Sequence, residues 1–333
     1  MEQSGWKDGI ENLESFPVRV SASWVMERAR HVQINIEAIK ELADRWERSF
    51  NPIQWHNEVH FFDGTEKTLF WIFVLDTLNF CFWPDPGKPA WTVVYRGKNF
   101  SGYMALAASL KRAIEEAVPV TDPAFLADID IQTVKWIFRG KGDLPLMEQR
   151  VQNLRELGRV LLEQWNGSVM SMVEEARQSS ASLVRLVVDS FSSFRDEASY
   201  DGRKVYFWKR AQILASDIFH AFEGKGPGAF KDIHLLTACA DYKLPQVLRV
   251  LGVIQYSDEL ARRIDSLDYL KPGSPEEVEI RSATVVAVEK IREFLEKRGI
   301  FVTSLEIDHH LWELGQKDEF RRYPYHRCRT VFY

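Results

Sequence analysis

Between Phe194 and Gln246, charged residues stand inside apolar helical pattern rather than on its outer faces. The stretch runs Phe194-Arg195-Asp196-Glu197-Ala198, then Trp208-Lys209-Arg210-Ala211-Gln212. A Gly224-Lys225-Gly226-Pro227-Gly228 connection follows, then Ala240-Asp241-Tyr242-Lys243-Leu244-Pro245-Gln246. A charge taken out of water is costly unless it is paired or used. Lys209 and Asp241 are therefore the first candidates for chemistry. The spacing predicts a helix over Val205–Phe222 and another over His234–Ala240, and the glycine connection folds one back on the other. That hairpin can bring Lys209 near Asp241. Either residue alone reads as easily as a solvated helix-face residue, but both in one hairpin favour a functional pair.

The chain has 333 residues, 45% of them hydrophobic. Such a chain buries a large core as one domain or as two intimate ones. We read residues 1–333 as a single domain, with sub-lobes over 1–120 (mixed α/β) and 121–333 (helical, carrying the hairpin). The net charge is -5, and no long basic block supplies the footprint of a duplex-binding protein. Three cysteines (Cys81, Cys239, Cys328) are far apart and lack CxxC spacing. That argues against a disulfide scaffold or a zinc site and for a reducing compartment. The polar start is unlike a secretory signal. The most apolar run, Thr68–Trp83, carries Asp76 and Asn79, stops at Pro84 and is too short to span a bilayer. A cytoplasmic protein with no membrane partner is expected.

Periodicity predicts a mainly α chain with a small β element in its N-terminal third. A short lead-in over Glu11–Phe16 precedes a helix over Ser23–Phe50, ended by Pro52. Val59–Phe62, Leu69–Leu75, Phe80–Trp83 and Trp91–Tyr95 read as strands, with a buried helix as the alternative for Leu69–Leu75. Helices are predicted over Ser101–Val118, from Asp122-Pro123 onward, and over Pro145–Gln164, Val169–Ala181, Ser182–Asp189, Pro245–Gly252, Ser257–Asp265, Pro275–Lys297 and Ser304–Lys317. Asp and Ser caps and first-turn prolines mark several of these starts.

Other clusters can carry chemistry. Arg195, Asp196 and Glu197 read equally well as a surface ion pair or as binding groups. Asn79 lies in the aromatic run Phe80-Cys81-Phe82-Trp83. There it can meet the edge of a heterocycle while Phe80 or Trp83 stacks, although a hydrogen-bonded core Asn is the simpler account. Tyr325, His326 and Arg327 can contact a phosphate or form a final strand. His56 and His60, near Glu58, lack the spacing of metal ligands, and no metal is expected. No Walker loop, dinucleotide fingerprint or nucleophile elbow occurs, so no cofactor is expected.

In one order over nearly the whole chain, these segments resemble the queuosine salvage family, the queuosine 5'-phosphate N-glycosidases. The matching stretches are Val59-His60-Phe61-Phe62, Leu75-Asp76-Thr77-Leu78-Asn79-Phe80-Cys81-Phe82-Trp83, Gly102-Tyr103-Met104-Ala105-Leu106, Pro119-Val120-Thr121-Asp122-Pro123 and Phe138-Arg139. They continue with Phe194–Ala198, Lys209-Arg210-Ala211-Gln212-Ile213-Leu214, Asp241–Leu248, Glu279-Ile280-Arg281-Ser282-Ala283 and Pro324–Tyr333. Lys243 stands where the family pattern has Arg.

The resemblance implies a helical core like that of helix-hairpin-helix DNA glycosylases. It implies hydrolysis of queuosine 5'-monophosphate to queuine and ribose 5-phosphate, with Asp241 and Lys209 at the family's catalytic positions. His60, Asn79, Phe80, Trp83, Arg195, Asp196, Gln246, Tyr325, His326 and Arg327 are the expected substrate-binding residues. The expected partner is a small nucleotide, not a nucleic acid. A DNA glycosylase and a non-catalytic queuine or queuosine carrier are the alternatives.

Overall fold

The computed structural model of the protein describes residues 16–46, 53, 55 and 58–333. The lead-in over 11–15, the end of the first predicted helix, Pro52 and His56 lie outside the described residues. Helices dominate. In chain order the elements are α1 (Pro17–Met26), β1 (Val32–Ile34), α2 (Ile36–Arg45), α3 (Glu66–Thr77), β2 (Thr92–Tyr95), β3 (Lys98–Ser101), α4 (Gly102–Glu115), α5 (Pro123–Asp128), α6 (Ile131–Ile137), α7 (Met147–Gln164), α8 (Val169–Glu175) and α9 (Ser180–Ser190). Then follow β4 (Glu197–Tyr200), β5 (Arg203–Tyr206), α10 (Lys209–Ala221), α11 (Lys243–Val250), β6 (Ile254–Tyr256), α12 (Asp258–Asp265), β7 (Tyr269–Leu270), α13 (Pro275–Glu296), α14 (Ser304–Leu314) and β8 (Arg327–Cys328). The strands form four two-stranded sheets, β1-β6, β2-β3, β4-β5 and β7-β8, so β structure is not confined to the N-terminal third.

Several departures from the periodicity have visible causes. The predicted helix from Ser23 breaks after Met26, and β1 replaces its middle. The buried carboxylate of Glu279 accepts the backbone N–H groups of Arg30, His31 and Val32 at 3.0, 2.7 and 3.1 Å. A carboxylate wrapped by successive amides is a stronger acceptor than the helical carbonyls it displaces. Leu69–Leu75 belongs to α3, whose residues Thr68–Thr77 are all buried. A helix apolar on every side gives no period that separates it from a strand. Val59–Phe62 and Phe80–Trp83 are not strands. The latter segment is held instead by Arg150, which donates to the carbonyls of Leu78 at 2.5 Å, Phe80 at 2.5 Å and Cys81 at 3.0 Å.

The predicted helix over Val205–Phe222 starts only at Lys209. The β4-β5 hairpin occupies the preceding residues, and Trp208 turns the chain with φ 49° and ψ 35°. The predicted helix over His234–Ala240 is a short 3-10 turn (Ile233–Leu235) followed by extended chain. Side chains from three helices take its backbone groups. Gln212 Oε1 accepts the Thr237 N–H at 2.8 Å, the Asp308 carboxylate accepts the Cys239 N–H at 2.7 Å, and Arg281 Nε donates to the Ala240 carbonyl at 3.0 Å.

One large apolar cluster gathers residues from Phe16 to Leu305, including α3, α4, α7, α9 and α10. A second gathers α2, α11, α13 and α14. The extended Leu236–Asp241 segment passes between them, contributing Cys239 and Ala240 to the first and Ala238 to the second.

Candidate functional site

At that seam lies a cavity enclosing about 1020 Å³ of empty space, part of it open to solvent. Two helices furnish it in register. From α10 come Lys209, Ile213, Ser216, Asp217 and His220, and from α14 come Leu305, Asp308, His309 and Trp312. Steps of three and four residues place each set on one helical face. The loop after α3 adds Asn79, Phe80, Cys81 and Phe82, and the chain before α11 adds Cys239, Asp241 and Tyr242. His60, Tyr103 and Tyr333 complete much of the wall, with Trp55 packed against the His60 ring at a centroid distance of 4.0 Å and an interplanar angle of 40°.

Lys209 is 4% exposed, and its ammonium donates to the Asn79 carbonyl at 3.3 Å. Burial pulls its pKa below the usual lysine value, and the nearby charge of Asp241 opposes that pull. Asp241 is only partly buried. Its Oδ1 accepts the Lys243 and Leu244 N–H groups at 2.7 and 3.0 Å and so caps α11. The capping uses Oδ1 alone. Lys209 and Asp241 therefore line the same cavity, with α10 facing an extended segment rather than a second helix.

Three further carboxyls surround the pair. Burial pushes Asp308 up to about 8 and Asp76, behind the Asn79 loop, up to about 7. Asp217 is driven well above the carboxylate range by burial, with Asp76 adding to the effect. Tyr103 links Asp217 to His60, whose Nε2 lies 2.9 Å from the phenolic oxygen. His220 faces the Ser216 carbonyl through Nδ1 at 2.7 Å, which assigns the ring proton to Nδ1. The arrangement sets Asp241 beside carboxyls that burial keeps protonated, in a site walled by aromatics. That combination suits stabilising a cation at one atom while donating protons at another.

Of the expected binding residues, His60, Asn79 and Phe80 line the cavity. Phe80 already packs beneath the guanidinium groups of Arg150 and Arg210, at 4.2 and 5.2 Å. The other seven are not among the lining residues. Trp83 is buried under Arg329, 4.3 Å from its ring centre. Arg195 closes the end of α9 through the carbonyls of Val188 and Asp189, both at 3.1 Å. Asp196 forms a buried ion pair with Arg281. Gln246 donates to the Tyr323 carbonyl at 2.6 Å. Tyr325 packs on Tyr242, and Arg327 lies over the rings of Trp83 and Tyr325. His326 is buried against Tyr333 and pushed down to about 3, so it is neutral and ill suited to holding a phosphate.

Sequence reasoning missed Tyr103, Asp217, His220, Tyr242, Asp308, His309, Trp312 and Tyr333. For α10 and α14 a signal existed: polar residues recurring at helical spacing beside Lys209, and again after Leu305. Tyr103, Tyr242 and Tyr333 gave none, because aromatics are ordinary core residues.

Fold and cavity together define a mainly α-helical protein with a cavity lined by acid–base and aromatic side chains. The family model described as "Queuosine salvage protein" matches residues 59–333. The chain is 45% identical over 310 residues to the queuosine 5'-phosphate N-glycosylase/hydrolase of Sphaerobacter thermophilus, covering 93% of this chain and 95% of that protein. It is 40% identical to the protein of that name from Dictyostelium discoideum and 36% identical to the one from Mus musculus, each match covering 95% of this chain and 98% of the relative. The chain belongs to the queuosine salvage protein family.

Proposed function

We propose that the protein hydrolyses the N-glycosidic bond of queuosine 5'-phosphate, releasing queuine and ribose 5-phosphate. The observation that carries this reading is that Lys209 and Asp241 line one cavity, in a chain whose relatives bear that activity in their names. Water supplies a hydroxyl to C1' and, in sum, a proton to the departing base. As the bond lengthens, positive charge grows on C1' and the ring oxygen. The Asp241 carboxylate stabilises that charge and orients the attacking water. Lys209 places a positive charge near the Asp241 carboxylate.

The base is a 7-deazaguanine and has no N7 to protonate, so its departure rests on hydrogen bonds to its edge. Asn79 and the protonated carboxyls of Asp217 and Asp308 supply such groups, beside the aromatic walls of Phe82, Tyr242 and Trp312. With Tyr325, His326 and Arg327 directed elsewhere, Lys209 and His309 are the lining groups suited to the phosphate. We read the substrate as a free nucleotide, used in the cytoplasm. A net charge of -5 supports neither duplex binding nor a DNA glycosylase.

The test is to incubate the purified protein with queuosine 5'-phosphate and, separately, with queuosine, following free queuine by chromatography. Faster release from the nucleotide is expected. Release from neither, with binding retained, would favour a carrier and overturn the hydrolase reading.

A further inference from the structure

We propose that Asp196 and Arg281, which lie outside the cavity, act as a positioning clamp that fixes Lys209 and Asp241 relative to each other. This rests on the hydrolase reading above for its catalytic consequence, but its geometry stands alone. Both residues are 2% exposed. Arg281 grips the Asp196 carboxylate with two parallel bonds, Nη1 to Oδ1 at 2.8 Å and Nη2 to Oδ2 at 2.5 Å. Its third nitrogen, Nε, donates to the carbonyl of Ala240, the residue before Asp241. Asp196 Oδ2 also accepts the backbone N–H of Lys209 at 3.2 Å. One planar unit thus touches the backbone of both candidate catalytic segments, which stand 32 positions apart in sequence (241 − 209 = 32).

Strain and packing point the same way. Trp208, bulky and not glycine, adopts the left-handed conformation immediately before Lys209. Such a conformation is strained for a residue with a side chain and persists only where the surroundings impose it. Here the Asp196 carbonyl accepts both the Phe207 and Trp208 N–H groups, at 3.0 and 3.2 Å. The guanidinium itself is confined between the rings of Phe207 and Tyr333, at 3.9 and 4.3 Å, and Glu277 lies 3.5 Å from Nη1. A buried ion pair is weak evidence for stability, since replacing it with apolar groups is often neutral. Its use here is geometric: a fork with fixed bond directions sets where two chain segments lie, which a point charge cannot do.

Arg281→Lys is the deciding variant, because it keeps the buried charge and removes the fork. We expect kcat for base release to fall about tenfold or more, as small misplacements of reacting groups do. The Kd for queuine should stay within about threefold, because the cavity wall is untouched. Adding Asp196→Asn to Arg281→Lys should cost little more than Arg281→Lys alone, since both break one link. In the same variant, the Lys209 ammonium, followed by NMR titration, should move up toward the usual lysine value as its segment loosens.

Unchanged kcat in a folded variant would overturn the clamp. So would kcat and queuine affinity falling by the same factor, which would mean general damage to the cavity. Failure of Arg281→Lys to fold would also overturn it, because the pair would then hold the fold rather than two residues. If the wild-type protein released no base, the functional reading would fall instead. The Lys209 titration would still decide the clamp: no movement on Arg281→Lys would overturn it.

Discussion

The capping by Asp241 can be separated by experiment from its proposed part in catalysis. Oδ1 caps α11, a task Asn performs as well as Asp. Asp241→Asn should therefore lose less than about 1 kcal/mol of stability. Its base release should fall on the order of 10²–10³-fold, the usual loss when a charge-stabilising group is removed. Parallel urea melts and chromatographic assays would check both; near-native turnover in the folded variant would remove Asp241 from the mechanism. Lys209→Ala separates its roles differently: a loss confined to KM would make Lys209 a binding group. Both residues were legible in the sequence because charges amid apolar pattern are rare and need a reason. Asp196 read equally well as part of a surface ion pair or as a binding group, and its partner proved to be the buried Arg281. Sequence pattern marks that a charge is buried, not whether its partner is substrate or protein.

Helix contacts decide the sign of some substitutions that propensity alone would get wrong. Gly158 sits in the middle of α7 where α5 crosses it. By propensity, Gly158→Ala should stabilise the helix by about 1 kcal/mol. A Cβ there would lie 2.4 Å from both the Ala127 nitrogen and the Pro123 carbonyl oxygen, closer than atoms pack. Both are backbone atoms and cannot swing aside, so the helices must separate. We expect a net loss of about 1–3 kcal/mol, typical of overpacking, read from the urea midpoint. A gain in stability would show that α5 is not seated there. The α5 start at Asp122-Pro123 was plain in the sequence, with the Asp122 carboxylate accepting the Ala124 N–H at 2.8 Å. Its crossing point with α7 was not, because a helical glycine carries no sign of what approaches it.

Buried ionisable groups give the whole molecule a pH profile with two opposed slopes. His326 is neutral in the fold and pushed down to about 3 by burial and by Arg281, against a usual 6.5. The unfolded chain takes up that proton below 6.5 and the folded chain does not, so its contribution is present above 6.5 and is lost as pH falls toward 3. Asp76 acts in reverse. Burial pushes it up to about 7 from 3.8, so the fold keeps a proton that the unfolded chain has released. Its contribution is present below 3.8 and is lost as pH rises through 7. Asp76→Asn should therefore gain stability over wild type as pH rises from about 4 to 7, with a slope approaching about 1.4 kcal/mol per pH unit. His326→Gln should reduce the acid-side loss. Denaturant melts at several pH values would test both, and a pH-independent difference for Asp76→Asn would mean that carboxyl is not protonated in the fold.

The amino-acid sequence by itself determined that this chain is mainly helical, where most helices start and stop, and which family it joins. Caps, prolines and three-to-four spacing act within a few residues and are printed in the order of the chain. It also marked Lys209 and Asp241 as candidates for chemistry. Only the tertiary structure decided what surrounds them. The extended Leu236–Asp241 segment exists because Gln212, Asp308 and Arg281 claim its backbone, and the break after α1 exists because Glu279 collects three amides. Those partners lie tens to hundreds of positions away. Hydrogen bonds between distant residues override local propensity once burial removes the competition of water, and no local pattern carries them.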